Sequence, residues 1–153
     1  MNEIIRIKDQ LEKAFYGGAW HGPSVMETLN GVSSEKAISK PIAGAHCIWE
    51  IVLHISAWQD AVKRRLQGDP ANLTDEEDWQ PLIDVSEDAW QKDITQLKKS
   101  MDNLIAIVEE FDQSKLIEKA AGQNYSNYFM LHGLVQHDIY HAGQIALLKK
   151  ILK

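Results

Sequence analysis

The chain has 153 residues, 44% of them hydrophobic and 25% charged, which is the make-up of a single globular domain long enough to bury a core. Its net charge of −6 argues against a nucleic-acid partner, whose phosphates need a basic surface. The single cysteine, Cys47, excludes an internal disulfide and fits a reducing compartment. The N-terminus has no signal-type apolar core, and no run approaches the ~20 apolar residues of a membrane span, so the expectation is a cytoplasmic protein with no membrane partner.

Helical periodicity begins over residues 2–16, where Ile4, Ile7, Leu11 and Phe15 recur at steps of three and four, and Gly17-Gly18 ends it. Residues 17–44 hold Pro23, Pro41 and a short periodic stretch, Val25 to Leu29, that suits one or two extra helical turns. A second long helix is predicted over 45–67, with Ile48, Ile51, Val52, Ile55, Trp58, Val62 and Leu66 as its apolar positions. Lys63-Arg64-Arg65 reads as its solvated end, where cations suit the macrodipole, and Gly68-Asp69-Pro70 stops it. Residues 68–85 are acidic, contain Pro70 and Pro81, and read as an irregular crossover. The third helix, 86–111, carries Trp90, Ile94, Leu97, Met101, Leu104, Val108 and Phe111 at alternating steps of four and three, the seam of a helix packed in a bundle, with Asp84 or Ser86 as cap. After a loop at 112–126, the fourth helix covers 127–151, with Met130, Leu134, Ile145 and Leu148 on one face and Asn124 or Ser126 as cap. There is no strand-like alternation. Four long amphipathic helices in one domain predict an all-α four-helix bundle.

Histidines carry the chemistry. His137 and His141 are four residues apart on the fourth helix and therefore about 40° apart on one face, so one ion can be chelated from a single turn. Helical projection places Met130, Leu134 and Leu148 in their sector, which turns both rings inward. His54 lies three residues after Ile51 and four before Trp58, at the edge of the buried stripe of the second helix. Neutral imidazoles ligate zinc, nickel, iron or copper, and three protein ligands with open positions is a catalytic arrangement. His46, eight residues from His54 and about 12 Å along the axis, His132, about 140° from His137 in projection, and His21, in a loop, do not fit the same ion. Gln144 and Glu50 are candidates to orient a ligand ring or a bound water; Asp138 and Tyr140 diverge from the His137 direction, and Cys47 reads as a buried thiol. The plainer reading of the same histidines is structural, with rings on an apolar face bonded to backbone carbonyls.

Three segments resemble the DinB/YfiT-like family. Trp49-Glu50-Ile51-Val52-Leu53-His54-Ile55-Ser56-Ala57-Trp58 is similar to its second-helix motif, and the run from His137-Asp138-Ile139-Tyr140-His141 through Gln144 to Leu148 is similar to its fourth-helix motif. Trp20-His21-Gly22-Pro23-Ser24 resembles the turn after its first helix. The resemblance implies an up-down-down-up bundle, a homodimer, and a divalent metal held by His54, His137 and His141, with zinc or nickel ahead of iron or manganese. It also implies thiol-dependent transferase or isomerase chemistry with low-molecular-weight thiols such as bacillithiol or mycothiol. The leading expectation is a metal-dependent enzyme in which a metal-activated thiolate attacks a small-molecule electrophile, or a hydrolase using water in the same place. The alternative is a non-catalytic dimeric metal-binding or stress-response protein. No thiol-recognition motif maps onto this chain.

Overall fold

A computed structural model describes residues 2–153, and among them every regular element is helical. Four helices are long: α1 (Glu3–Phe15), α4 (Ile48–Leu66), α6 (Glu87–Glu109) and α7 (Asn127–Ile151). Three are short: α2 (Val25–Leu29), α3 (Ser34–Ile38) and α5 (Asp75–Asp78). A 3-10 turn covers Gln113–Ile117, and an isolated bridge joins Lys119 to Ser126. No helix among the described residues is long and apolar enough to cross a membrane.

Local chemistry sets the helix ends. Asn2 Oδ1 accepts from the Ile4 amide at 2.9 Å, Ser86 Oγ from Ala89 at 3.2 Å, and Ser126 Oγ from Phe129 at 3.1 Å, each satisfying an amide that the first helical turn leaves open. Helix α4 starts at Ile48, three residues later than periodicity predicts. The Glu50 carboxylate explains the boundary: it accepts from the Cys47 amide at 2.9 Å and so closes the helix at that residue. Cys47 is buried, as expected of its apolar setting, and burial raises its thiol pKa.

The expected irregular crossover at 68–85 contains one helical turn, α5. Thr74 and Glu77 form its capping box, with Thr74 Oγ1 accepting at 3.2 Å and Glu77 Oε2 accepting at 2.8 Å. Helix α3 is likewise a single capped turn in a stretch too short for periodicity to register. Short helices of this kind are set by caps and tertiary contacts rather than by propagation.

One apolar core draws on all four long helices. Helix α6 buries Trp90, Leu97, Met101, Leu104 and Val108 of its predicted seam, with Ile94 and Phe111 half-buried at the margin. Trp90 packs against Trp49 with centroids 5.1 Å apart, and each indole N–H is used: Trp90 donates to the Val32 carbonyl and Trp49 to Asp93 Oδ2, both at 2.8 Å. Ser100 Oγ meets the Ser56 carbonyl between α6 and α4, and Lys8 pairs with Glu109 between α1 and α6 at 2.7 Å. Arg65 near the end of α4 donates to the Tyr125 hydroxyl just before α7 at 2.9 Å.

The entry to α7 is pinned to the start of the crossover. Gly122 adopts φ +68 and sits where a Cβ would run into Pro70, and Gln123 Nε2 donates to Asn72 Oδ1 at 3.3 Å. Arg65 donates to the carbonyls of Pro70 and Ala71 at 3.0 and 3.1 Å, which steadies the left-handed φ of +42 at Ala71. These contacts fix where the crossover leaves α4 and bring α5 back over the middle of that helix.

Candidate metal centre

Antiparallel contact between the middle of α4 and the middle of α7 brings three imidazoles together. His54 Nε2 lies 3.0 Å from His137 Nε2, and His141 Nε2 lies 3.2 Å from His137 Nε2. One nitrogen from each ring falls within a group whose members are no more than 4.8 Å apart. Tetrahedral ligation at a zinc–nitrogen distance of 2.0–2.1 Å separates ligand nitrogens by about 3.3 Å, so the cluster needs little adjustment to enclose an ion.

Two of the rings have their tautomer set from behind. His54 Nδ1–H donates to the Asp78 carbonyl at 3.0 Å, and His141 Nδ1–H donates to Gln144 Oε1 at 2.7 Å. With the proton on Nδ1, the Nε2 of each ring presents a bare lone pair to the centre of the cluster. Lone pairs aimed at one point repel unless a cation or a shared proton lies between them, so this donor set fits a divalent metal. His137 Nδ1 has no hydrogen-bond partner and lies 3.8 Å from Asp138 Oδ1.

Burial keeps the rings neutral. It is the main cause that brings His137 and His141 down to about 4, with proximity to His137 as the second cause at His141. Burial also lowers His54, against the opposing pull of Asp78. Neutral imidazole is the ligating form. Asp138 is fully buried, neither carboxylate oxygen has a partner, and burial alone pushes it up to about 8, which makes it a neutral acid at pH 7.

The crossover supplies the cover. Trp79 lies flat on His54, with ring centroids 3.9 Å apart and planes within 8° of parallel, and it stacks with His46 as well at 3.6 Å. Trp58 donates its indole N–H to Asp78 Oδ1 at 2.7 Å, which holds the Asp78–Trp79 pair over α4. The cluster lies between two cavities. One, of about 230 Å³, has His137 in its wall; the other, of about 400 Å³, has His141, Gln144, Tyr140 and Trp79 in its wall.

Among the candidates from sequence, Gln144 reaches a ring of the cluster and Glu50 does not. Glu50 Oε1 pairs with Lys40 at 2.8 Å, and Oε2 faces His46 Nδ1 at 3.3 Å and the Cys47 amide. Helical side chains lean toward the helix N-terminus, so a residue one turn before His54 points away from it and into the cap. His21, His46 and His132 stay outside the cluster. His132 packs on Tyr128 and faces Glu3, whereas His46 contributes indirectly through Trp79. Asp78 and Trp79 are the contributors that periodicity missed. Their one visible signal is a lone tryptophan in an otherwise acidic loop.

The model of one protein family, the DinB superfamily, matches residues 20–145, a span that contains all three clustered histidines. The chain belongs to the DinB superfamily. No curated protein and no solved structure shows significant similarity to it. Membership of the DinB superfamily agrees with the sequence resemblance and with an all-helical chain whose three histidines could hold a metal.

Proposed function

We propose that this DinB-superfamily protein is a divalent-metal-dependent enzyme, with His54, His137 and His141 as the protein ligands and zinc or nickel ahead of iron or manganese as the ion. One observation carries the reading: three neutral imidazoles direct Nε2 atoms at one point, and two of them are locked in that tautomer by Asp78 and Gln144. A divalent cation held there supplies Lewis acidity, lowering the pKa of a thiol or a water that binds beside it. The reaction class is thiol-dependent S-transfer to an electrophile, with hydrolysis as the variant that uses water.

The chain's own residues then have separable tasks. Three histidines from two helices leave coordination positions open. Trp79 shields one face of His54 from water, and Trp58 keeps Asp78 in place to accept the His54 proton. The cavities beside His137 and His141 give two reactants separate approaches. The up-down-down-up bundle of α1, α4, α6 and α7 is part of the proposal; it is supported by Lys8–Glu109 with Tyr16–Asp102, which run α1 against α6, by Trp49–Asp93 with Ser56–Ser100, which run α4 with α6, and by His54–His137 with Arg65–Tyr125, which run α4 against α7. The homodimer carried over from the family belongs to the same proposal.

The test begins with metal analysis of protein purified without added metal, followed by titration with zinc, nickel, manganese and iron. One equivalent bound by the wild type, and lost in the His137→Ala protein, is the expected result. A wild type that binds none of the four ions and gains no thermal stability from them overturns the metal centre. A panel of reactive electrophiles with several low-molecular-weight thiols tests the reaction class, and a conjugation that survives His137→Ala removes the metal from the mechanism.

A further inference from the structure

The cavity on the His137 side has a composition that points to its ligand. Its walls are the side chains of Trp58, Val62, Phe129, Met130 and Leu134. Arg65 and Tyr125 also line it, near the end of α4 remote from the histidines. Seven residues separate Trp58 from Arg65 on α4 and Met130 from His137 on α7, so the two ends lie on the order of 10 Å apart at 1.5 Å per residue.

Arg65 is 6% exposed, and its hydrogen bonds go to neutral acceptors: the Pro70 and Ala71 carbonyls and the Tyr125 hydroxyl. Its guanidinium also sits 5.4 Å from the Trp58 ring centroid. Among the described residues no carboxylate pairs with it, because Asp60 and Asp69, its acidic neighbours in sequence, are engaged by Arg64. Neutral oxygens satisfy its hydrogen bonds but leave its charge uncompensated, and a buried charge without a counter-ion is costly. Five N–H donors serve three acceptors, so donor capacity remains for an incoming anion.

We propose that this cavity binds a small apolar carboxylate, its single ring or branched body packed on Trp58, Phe129 and Leu134, its carboxylate at Arg65 and its far end at His137. The volume of about 230 Å³ sets the size, since a cavity of about 150 Å³ accepts one benzene ring. One ring with a short chain fills this space and spans its length. The assignment of this ligand as the substrate rests on the metal-centre reading above; its binding preference does not.

The test uses the purified full chain, with and without added zinc, titrated calorimetrically with 4-phenylbutyrate, 4-phenylbutan-1-ol and 4-phenylbutylamine. The acid is expected to bind about ten-fold more tightly than the alcohol, as one charge-assisted contact allows, and the amine most weakly. Arg65→Met removes the preference for the acid while leaving alcohol binding in place. Arg65 also anchors the crossover, so a second variant guards against a folding defect. A Cβ at Gly133, in the cavity wall, meets no atom within 4 Å, and Gly133→Leu fills the space with a better helix former. Gly133→Leu is expected to abolish binding of all three probes while circular dichroism retains the helical signal. Equal affinity for acid and alcohol in the wild type, no binding of any probe, or undiminished acid binding in Gly133→Leu overturns the proposal. A chain that takes the acid but no zinc keeps this inference and loses the metal centre; one that takes zinc but shows no acid preference does the reverse.

Discussion

Trp79 stacks on His54 with 3.9 Å between ring centroids while the residue before it, Asp78, accepts the His54 Nδ1 proton through its carbonyl at 3.0 Å. One dipeptide of the crossover therefore fixes both the tilt and the tautomer of a ring on α4. The capped turn α5 delivers it, and Trp58 anchors it from the helix side. The crossover is part of the site, and its order is tied to the imidazole it covers.

Replacing Trp79 with Ala removes the stack and opens one face of His54 to water. The backbone bond from His54 to Asp78 remains available but loses its cover. Zinc affinity is expected to fall about ten-fold, within the range for loss of a group that orients a ligand, with little change in overall stability because Trp79 is only half-buried. Competition with a chromophoric chelator measures the first quantity and thermal unfolding the second. Unchanged affinity would show that the stack contributes nothing to the centre.

Gln144 acts on His141 as Asp78, through its carbonyl and its Oδ1, each 3.0 Å from Nδ1, acts on His54. Gln144→Ala leaves His141 Nδ1 without its acceptor at 2.7 Å and frees the ring to exchange tautomers. Metal affinity should fall about 10- to 100-fold, and Gln144→Glu should restore it, because a carboxylate accepts the same proton. Recovery in the Glu variant separates ring orientation from a packing defect, which would persist in both.

The two helices that carry the histidines were legible because their apolar positions repeat at helical spacing, and the inward direction of His54, His137 and His141 followed from that phase. Glu50 shows the limit of projection: it shares a face with His54, but the side chain's lean toward the helix N-terminus gives it to the cap. Asp78 and Trp79 were illegible for a different reason. A four-residue helix has no period to read, and its position over α4 depends on the Arg65–Pro70 bond and on the approach of Pro70 to Gly122, which is far away in sequence. The burial of Asp138 beside His137 was also hidden, since a polar residue on a mostly apolar helix gives no sign of which neighbours close over it.

Gly122 tests the seam between crossover and α7. A Cβ there would lie 2.6 Å from Pro70 Cβ and 3.2 Å from its Cα, and the residue holds φ +68, where a side chain adds strain. Gly122→Ala should therefore destabilise the protein by about 2 kcal/mol or more, the combined cost of the left-handed conformation and the displaced proline. Urea unfolding checks it. A loss below about 0.5 kcal/mol would mean that the 119–126 turn and residue 70 separate readily.

Acid should loosen the metal-free protein through its histidines. His137 and His141 titrate at about 4 in the folded chain against an ordinary 6.5, with burial as the main cause. The unfolded chain therefore binds protons between pH 6.5 and 4 that the folded chain refuses, so stability is full above 6.5 and declines as the pH falls toward 4. The combined loss is on the order of a few kcal/mol. Asp138 works with the opposite sign: raised from 3.8 to about 8, it favours the folded state below 3.8 and loses that contribution progressively as the pH rises from 3.8 to about 8. Comparing the wild type with a His137→Gln, His141→Gln double variant cancels the Asp138 contribution and isolates the histidines. Urea midpoints measured from pH 7.5 to 4.5 should fall more steeply in the wild type than in the double variant, and parallel slopes would mean that the rings protonate freely in the folded chain. Added zinc should delay the wild-type decline, because an ion on the three nitrogens opposes the same protons.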